Sequence, residues 1–352
     1  MNELSNKCGS CGYTLTFDAV SQMLKCSHCG SLANINKQIL STYNNYDQNI
    51  KLKINDTHSN VFMCDSCGAK TNAKNNITGI CPYCGSANLK EFSEAFKFKA
   101  DGVIPFKIDK KSARKRYRAW IKKCHFVPNK LKNYAKLNKM EGYYFPCYSY
   151  CFDAFSSYSG IGVREHHITR TINTPNGPQV VTSVKTTTHP FSGTRDDSFK
   201  DLLINANDTL NLREVKKLGN FGLEELNVFN PAYLLGFITK EQTLDVHNCF
   251  NQAITEAKQD IESSIEFEHS YDRIQNLTVK TNFTNKKYNY IYLPVWICNF
   301  IYKQKEYKFL VNGYSGFVTG KVPRSGWKIA GLVLGILLGL TAVGLLIAYF
   351  VK

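Results

Sequence analysis

The chain has 352 residues, enough for more than one domain, and 44 Lys and Arg against 28 Asp and Glu leave a net charge of +16. That balance points to polyanionic partners, either nucleic acid or an anionic membrane surface. Thirteen cysteines in so long a chain, eight of them in metal-ligand spacing and none behind an apolar leader, argue against a disulfide-stapled secreted domain and for a reducing, cytosol-facing compartment.

The cysteines come first in chain order. Cys8-Gly-Ser-Cys11-Gly12 is repeated as Cys64-Asp-Ser-Cys67-Gly68, and Cys26-Ser-His-Cys29-Gly30 as Cys81-Pro-Tyr-Cys84-Gly85. Two copies of one module therefore stand in tandem, residues 1–33 and 61–91. Each Cys-x2-Cys knuckle offers two thiolates from one tight turn, and two knuckles complete the tetrahedron that zinc prefers. The glycine after each knuckle allows positive φ, so backbone N–H groups can turn toward the sulfurs. The spacing predicts two structural zinc ions, one on Cys8, Cys11, Cys26 and Cys29, the other on Cys64, Cys67, Cys81 and Cys84. With four thiolates present, His28 is redundant. A closed four-cysteine site has no open coordination position, so neither metal is expected to be catalytic.

Between the modules, residues 34–60 are rich in Asn and Lys and read as a linker plus a short strand. Residues 92–326 read as one α+β domain. Its first part, 97–139, carries fifteen Lys and Arg against Asp101 and Asp109. Asp109 is placed to N-cap a helix running to about Lys123, with Ala113, Tyr117, Trp120 and Ile121 on one apolar stripe. Asn129 to Lys139 reads as a second basic helix. Tyr143 to Phe155, Val163 to Ile172 and Val180 to His189 read as strands, the last two joined as a hairpin at Asn176-Gly177. Asn230 to Phe237 is an apolar patch ahead of a helix from about Leu244 to Phe267. Asn289 to Tyr302, Tyr307 to Asn312 and Gly316 to Val322 read as closing strands. Residues 327–352 form the last region: Ile329 to Val351 is uncharged, long enough to span a bilayer, and preceded by Lys321, Arg324, Trp327 and Lys328. This predicts a single-pass anchor in the plasma membrane with the bulk of the chain cytoplasmic. Gly331, Gly335 and Gly339 recur on one helix face, a pattern that suits self-association.

Enzyme signals are weak. Gly320-Lys321 resembles the end of a P-loop, but position 315 is Ser and Val322 replaces the hydroxyl residue. Cys124, Cys147, Cys151, Cys249 and Cys298 form no ribbon. Cys147 and Cys151 with His166, His167 or His189 are a third metal-site expectation, outweighed by buried free thiols. Cys249 and His247 are two apart on a helix and do not face each other. Asp196-Asp197 reads as solvated charge. The basic segment suits an anionic lipid surface or an acidic protein, or, with Tyr117 and Trp120 interleaved, nucleic acid.

Five stretches carry a family resemblance: Ile104-Pro-Phe-Lys107 before the basic helix, Glu141-Gly-Tyr-Tyr-Phe-Pro146, Asn230-Pro-Ala-Tyr-Leu-Leu-Gly-Phe237, Leu293-Pro-Val-Trp296 and Asn312-Gly-Tyr-Ser-Gly316. With them the chain resembles bacterial TFIIB-type zinc-ribbon-containing membrane proteins, which often carry the misleading labels primosomal protein N-prime or superfamily II helicase. It departs from them in Asn-Gly-Tyr-Ser-Gly, where Asn-Gly-Gln-Thr-Gly is usual, and in Cys147 at an aromatic position. The resemblance implies a cytoplasmic zinc-ribbon protein held at the plasma membrane, with band-7-like or phage-shock-type partners and no helicase chemistry. The combined expectation is a non-enzymatic adaptor that recruits cytosolic proteins to the membrane; a membrane-tethered nucleic-acid regulator is the alternative.

Overall fold

The computed structural model describes residues 7–48, 50, 61–64, 70–72, 89–92, 100–129, 140–175, 177–207, 210, 212–240, 242–302 and 304–350. Strands β1 (Leu15–Asp18), β2 (Met23–Cys26) and β3 (Leu32–Ala33) form a small antiparallel sheet carrying the first cysteine module. Strand β4 (Asn44–Asn45) follows. A second small sheet holds β5 (Val61–Cys64), β6 (Lys70–Asn72) and β7 (Leu89–Phe92) in the order β6-β5-β7. The remainder is β8 (Gly102–Val103), α1 (Lys110–Lys123), β9 (Glu141–Thr174), β10 (Gly177–Asn205), α2 (Leu212–Lys217), β11 (Asn227–Val228), β12 (Ile238–Thr239), α3 (Val246–His269), β13 (Arg273–Tyr302), β14 (Lys305–Asn312), β15 (Val318–Gly320) and α4 (Gly326–Phe350).

The main sheet runs β10-β9-β13-β14-β15, with β4, β8, β11 and β12 at its margins. Strict alternation covers both of its faces. On β9, Tyr144, Tyr148, Tyr150 and Phe152 enter one core, while Phe145 and Cys147 enter another; β13 divides Tyr288, Tyr290, Tyr292 and Trp296 from Ile291, Leu293, Val295 and Ile297 in the same way. The tyrosine face is covered by α1 and α3. Tyr150 donates to the Val246 carbonyl at 2.6 Å, and Phe250 stacks on Tyr46 at 3.9 Å. The opposite core takes Leu210, Val215, Leu218 and Phe221.

Several expected elements appear, with different extents. Asp109 caps α1 by accepting from the Ser112 N–H at 3.0 Å, and Ala113, Tyr117 and Ile121 are its buried face. The hairpin register pairs Thr174 with Gly177. The separate strands expected over Tyr143–Phe155 and Val163–Ile172 are one strand, β9. The composition break at Gly160 and Gly162 marks close packing instead: a Cβ there would lie 2.8 Å from the Phe191 ring and 2.2 Å from the Tyr271 ring. Bulges near Asp201, Asn276 and Asn285, each at positive φ, carry β10 and β13 through their bends.

Three further expectations need correction or placing. Residues 34–60, expected as a linker plus a short strand, hold that strand as β4, paired with β13, and their described part lies on the domain, with Ile39 bridging Asn227 and Tyr46 stacked on Phe250 of α3. Asp197 is not solvated charge: its two carboxylate oxygens take Arg195 at 2.7 and 2.8 Å, and the same guanidinium reaches Glu268 on α3 at 3.0 Å. The basic helix expected up to Lys139 lies outside the described residues beyond Asn129.

Helix α4 is long and apolar enough to cross a membrane. Its Gly326–Ile347 stretch has a mean hydropathy of 2.5, and none of its most apolar window is buried against the rest of the chain. Space is open where a Cβ would stand at Gly331, Gly335 and Gly339.

Candidate metal centre

The first cysteine module folds around its four sulfurs. Each knuckle is a turn closed by a backbone bond: Gly12 N–H donates to the Cys8 carbonyl at 2.8 Å and Gly30 N–H to the Cys26 carbonyl at 3.1 Å. Both glycines hold positive φ, 72° and 75°, where a side chain would be strained. β1 and β2 place the knuckles face to face. Cys8 and Cys29 lie 3.5 Å apart through their Sγ atoms, as do Cys11 and Cys26, and all four Sγ atoms lie within 4.8 Å of one another.

This donor set fits a divalent, thiophilic ion. A Zn–S distance of about 2.3 Å implies tetrahedral S–S edges of about 3.8 Å. The four-cysteine group can therefore hold one metal ion. The acid–base state of the thiols points the same way. The Ser31 hydroxyl, 2.9 Å from Cys8 Sγ and 3.1 Å from Cys29 Sγ, lowers both thiols, and Cys8 falls to about 5. Cys11 rises to about 12: the Tyr13 backbone N–H favours its thiolate, but desolvation and the sulfurs of Cys29, Cys26 and Cys8 outweigh it. A bound cation would favour the thiolate form at each of these sulfurs. Ser31 belongs to the repeat, standing after the Cys26-x2-Cys29-Gly30 knuckle as Ser86 stands after Cys81-x2-Cys84-Gly85, but its place beside the sulfurs is visible only in the fold. His28 stays outside the sulfur group, its ring 5.4 Å from Tyr13.

Of the second predicted site, Cys67, Cys81 and Cys84 lie outside the described residues, as does the Cys64 side chain. One backbone pairing that flanks its first knuckle does recur. Lys7 bridges Thr14 across the knuckle of the first module, and Met63 pairs with Lys70 in the second, both positions shifted by 56 residues.

Among the described residues the third metal site, already outweighed by buried free thiols, is not assembled. Cys147 is buried with its Sγ 3.8 Å from Asn205 Oδ1, and Cys151 lies beside Asp201 at the same distance. His166 sits fifteen residues further along β9, about 50 Å away at strand rise, bonded to Thr187. His189 stacks on Tyr271. Cys249 is buried against the Asn205 carbonyl, while His247 pairs with Tyr46. Burial raises the Cys147, Cys151 and Cys298 thiols, which suits inert core positions rather than nucleophiles. Gly320, the end of the P-loop decoy, lies in β15 opposite Phe309.

The metal module does not hang free. Phe17 N–H donates to the Leu235 carbonyl at 2.9 Å, and its ring packs on Tyr233 and Phe237 at 5.3 and 6.4 Å. Gln22, at φ 58°, donates its side-chain amide to the Phe106 carbonyl at 2.7 Å. A Cβ at Gly236 would stand 3.0 Å from Thr16, so the glycine lets the two backbones approach. Among curated proteins, the one called uncharacterized protein YdjG, from Bacillus subtilis (strain 168), is 30% identical over 338 residues, 95% of this chain and 94% of that one. The chain belongs to the YdjG family. The match leaves too few residues outside it to omit the whole four-cysteine module or the whole of the 25-residue α4. No family model matches the chain, and no solved structure matches it.

In this YdjG-family chain the five resemblance stretches converge. Phe106, Tyr144, Phe237 and Trp296 form one aromatic cluster, Phe106 lying 4.1 Å from Phe237 and 5.0 Å from Trp296. Trp296 Nε1 donates to the Ile108 carbonyl at 2.8 Å. Asn312 is fully buried and fully used: Nδ2 donates to the Leu218 and Asn220 carbonyls, and Oδ1 accepts from the Tyr314 and Ser315 N–H groups. The motifs therefore build the platform on which the four-cysteine module sits.

Proposed function

We propose that this protein is a non-enzymatic adaptor, anchored in the plasma membrane by α4, whose two zinc ribbons and basic domain hold a cytosolic protein at the inner face. The observation that carries the reading is the closed four-sulfur site on a module clipped to a domain that leads into an apolar span. A metal there has all four positions taken by protein and is suited to folding a recognition surface, not to activating water. The repeated pairing of Lys7 with Thr14 and of Met63 with Lys70 supports a second ion on Cys64, Cys67, Cys81 and Cys84. The resemblance to TFIIB-type zinc-ribbon membrane proteins supports a partner of band-7-like or phage-shock type.

The test is affinity capture of the full chain from native membranes, comparing wild type with Cys26→Ser and Cys64→Ser. The adaptor reading expects a protein recovered with wild type and lost with a ribbon variant that still fractionates with membranes. Identical co-purifying sets for all three chains would remove it.

A further inference from the structure

The root of α4 is fixed to the domain, and the fixing point is the end of the basic helix. Ser325 N–H donates to the Phe126 carbonyl at 2.7 Å. Lys328 Nζ, in the first turn of α4, donates to the Val127 carbonyl and to Asn129 Oδ1, both at 2.8 Å. Phe126 lies three residues beyond α1, whose body is held to the sheet by Tyr117 and Trp120 packing on Phe309 at 4.6 and 5.6 Å. The last turns of α1 are thus held beside the point where α4 leaves the domain. What they present is cationic: Arg118, Lys122 and Lys123 are exposed, as are Lys321 and Arg324 on the segment entering α4. Neither α1 nor residues 321–328 contain an Asp or Glu.

We infer that Arg118, Lys122, Lys123, Lys321 and Arg324 form a headgroup-binding collar that presses the domain onto the anionic leaflet of the bilayer crossed by α4. The inference rests on the anchor reading of α4. Its physical basis is the field of an anionic leaflet, which attracts basic groups held within about a Debye length, ~8–10 Å, of the surface. A flexible tether would let these charges drift out of that range. The three hydrogen bonds at Ser325 and Lys328 keep them in it. Trp327, 90% exposed at the same level, is a side chain suited to the interface. The collar would set which way the metal module faces, because that module is itself clipped to the domain through Phe17.

The experiment uses the full chain in lipid nanodiscs, either phosphatidylcholine alone or with ~30% phosphatidylglycerol, and reads acylation rates of individual lysines by mass spectrometry. Lys122, Lys123 and Lys321 are expected to react at least about fivefold more slowly in the anionic discs. The difference should vanish in 0.5 M salt, and Lys258 on the outer face of α3 should react equally in both. The double variant Arg118→Glu/Arg324→Glu, both exposed positions, should shrink the protection at Lys122. A chain that enters both kinds of disc but shows equal rates overturns the collar and leaves the anchor standing. A chain that enters neither overturns both. If duplex DNA added to the detergent-held chain protects these lysines more than anionic lipid does, the surface is a nucleic-acid site and the lipid assignment is wrong.

Discussion

Phe106 and Phe237, from two stretches far apart in the chain, stack with ring centroids 4.1 Å apart and an interplanar angle of 11°. Phe237 faces the domain core with one edge and Phe17 of the metal module with another. One side chain thus links the fold of the domain to the placement of the module. Phe237→Ala should cost about 3–5 kcal/mol of domain stability, the range for emptying a buried aromatic site. Phe17→Ala should leave the domain close to wild type and the bound metal in place. It should also speed hydrogen exchange of the amide that bonds the Leu235 carbonyl. Denaturant titration with hydrogen exchange measures both. Loss of metal from Phe17→Ala would show that the module depends on its seat, contrary to this view.

The sulfur geometry leads to a second expectation. The small β1-β2-β3 sheet buries little beyond Leu15, Phe17, Ala19, Leu24, Cys8 and Cys26, so a bound metal would supply most of its folding energy. A strong chelator should unfold residues 7–33 while leaving the sheet of β9, β10 and β13 protected, as read by hydrogen exchange. Elemental analysis of the native chain should find two zinc ions, with one lost in Cys26→Ser and the other in Cys81→Ser. Two ions remaining in either variant would refute the four-cysteine assignment.

The parts of the fold legible in the sequence are those whose physics is local. Asp109 announced its cap, the turn before Gly177 its hairpin, and the two Cys-x2-Cys-Gly knuckles of the first module the positive φ of Gly12 and Gly30. Periodicity reports which face of an element is apolar, but not which other face meets it. For that reason Phe17 and Gln22 gave no hint of their partners, and Asn230 to Phe237 read as a patch without an occupant. Asp197 reads as solvated charge until Arg195 is set with it on one face of β10, where residues two apart stand side by side, and Glu268 reaches the same guanidinium from another element. The unbroken length of β9 was hidden by Gly160 and Gly162, which usually punctuate strands and here make room for Phe191 and Tyr271.

Glu225 ties two of the motif stretches together: Lys107 binds both of its oxygens at 2.7 and 2.6 Å, and Tyr314 donates to one of them at 3.1 Å. The Lys107 hydrogen bond holds the Glu225 carboxyl below its ordinary value of 4.5. A depressed carboxyl pKa contributes stability that is fully present above the unfolded-state value and is lost as pH falls through the folded one. Glu225→Gln should therefore be less stable than wild type from about pH 5 upward, with the two converging below about pH 4. The pair is more than a third exposed, so the difference should stay under about 1 kcal/mol and shrink in salt. Denaturation at pH 3.5, 5 and 7 checks it; a gap that widens toward acid would rule out the ion pair as its source.

The far end of the main hairpin makes the last prediction. β13 accompanies β9 only to the pairing of Arg273 with Val163. Beyond it, Arg164 to Thr187 continue as a two-stranded arm reaching about 35 Å at strand rise. The arm exposes Ile172, Val180 and Val184 at 46, 67 and 52%, and among the described residues none of the arm enters the main hydrophobic clusters of the domain. Arg164 and Thr187 are directly paired, and they stand an even number of residues from the Thr174–Gly177 pair that closes the native turn. Replacing residues 165–186 by Asn-Gly should therefore close the same kind of hairpin with side-chain alternation preserved. The shortened chain should melt within about 4 °C of wild type, because loss of solvated ribbon removes little buried apolar surface. It should also aggregate less on heating, since an exposed ribbon edge with β-branched side chains is a template for strand pairing. A much lower melting temperature would mean that the arm packs against part of the chain and is not a free projection.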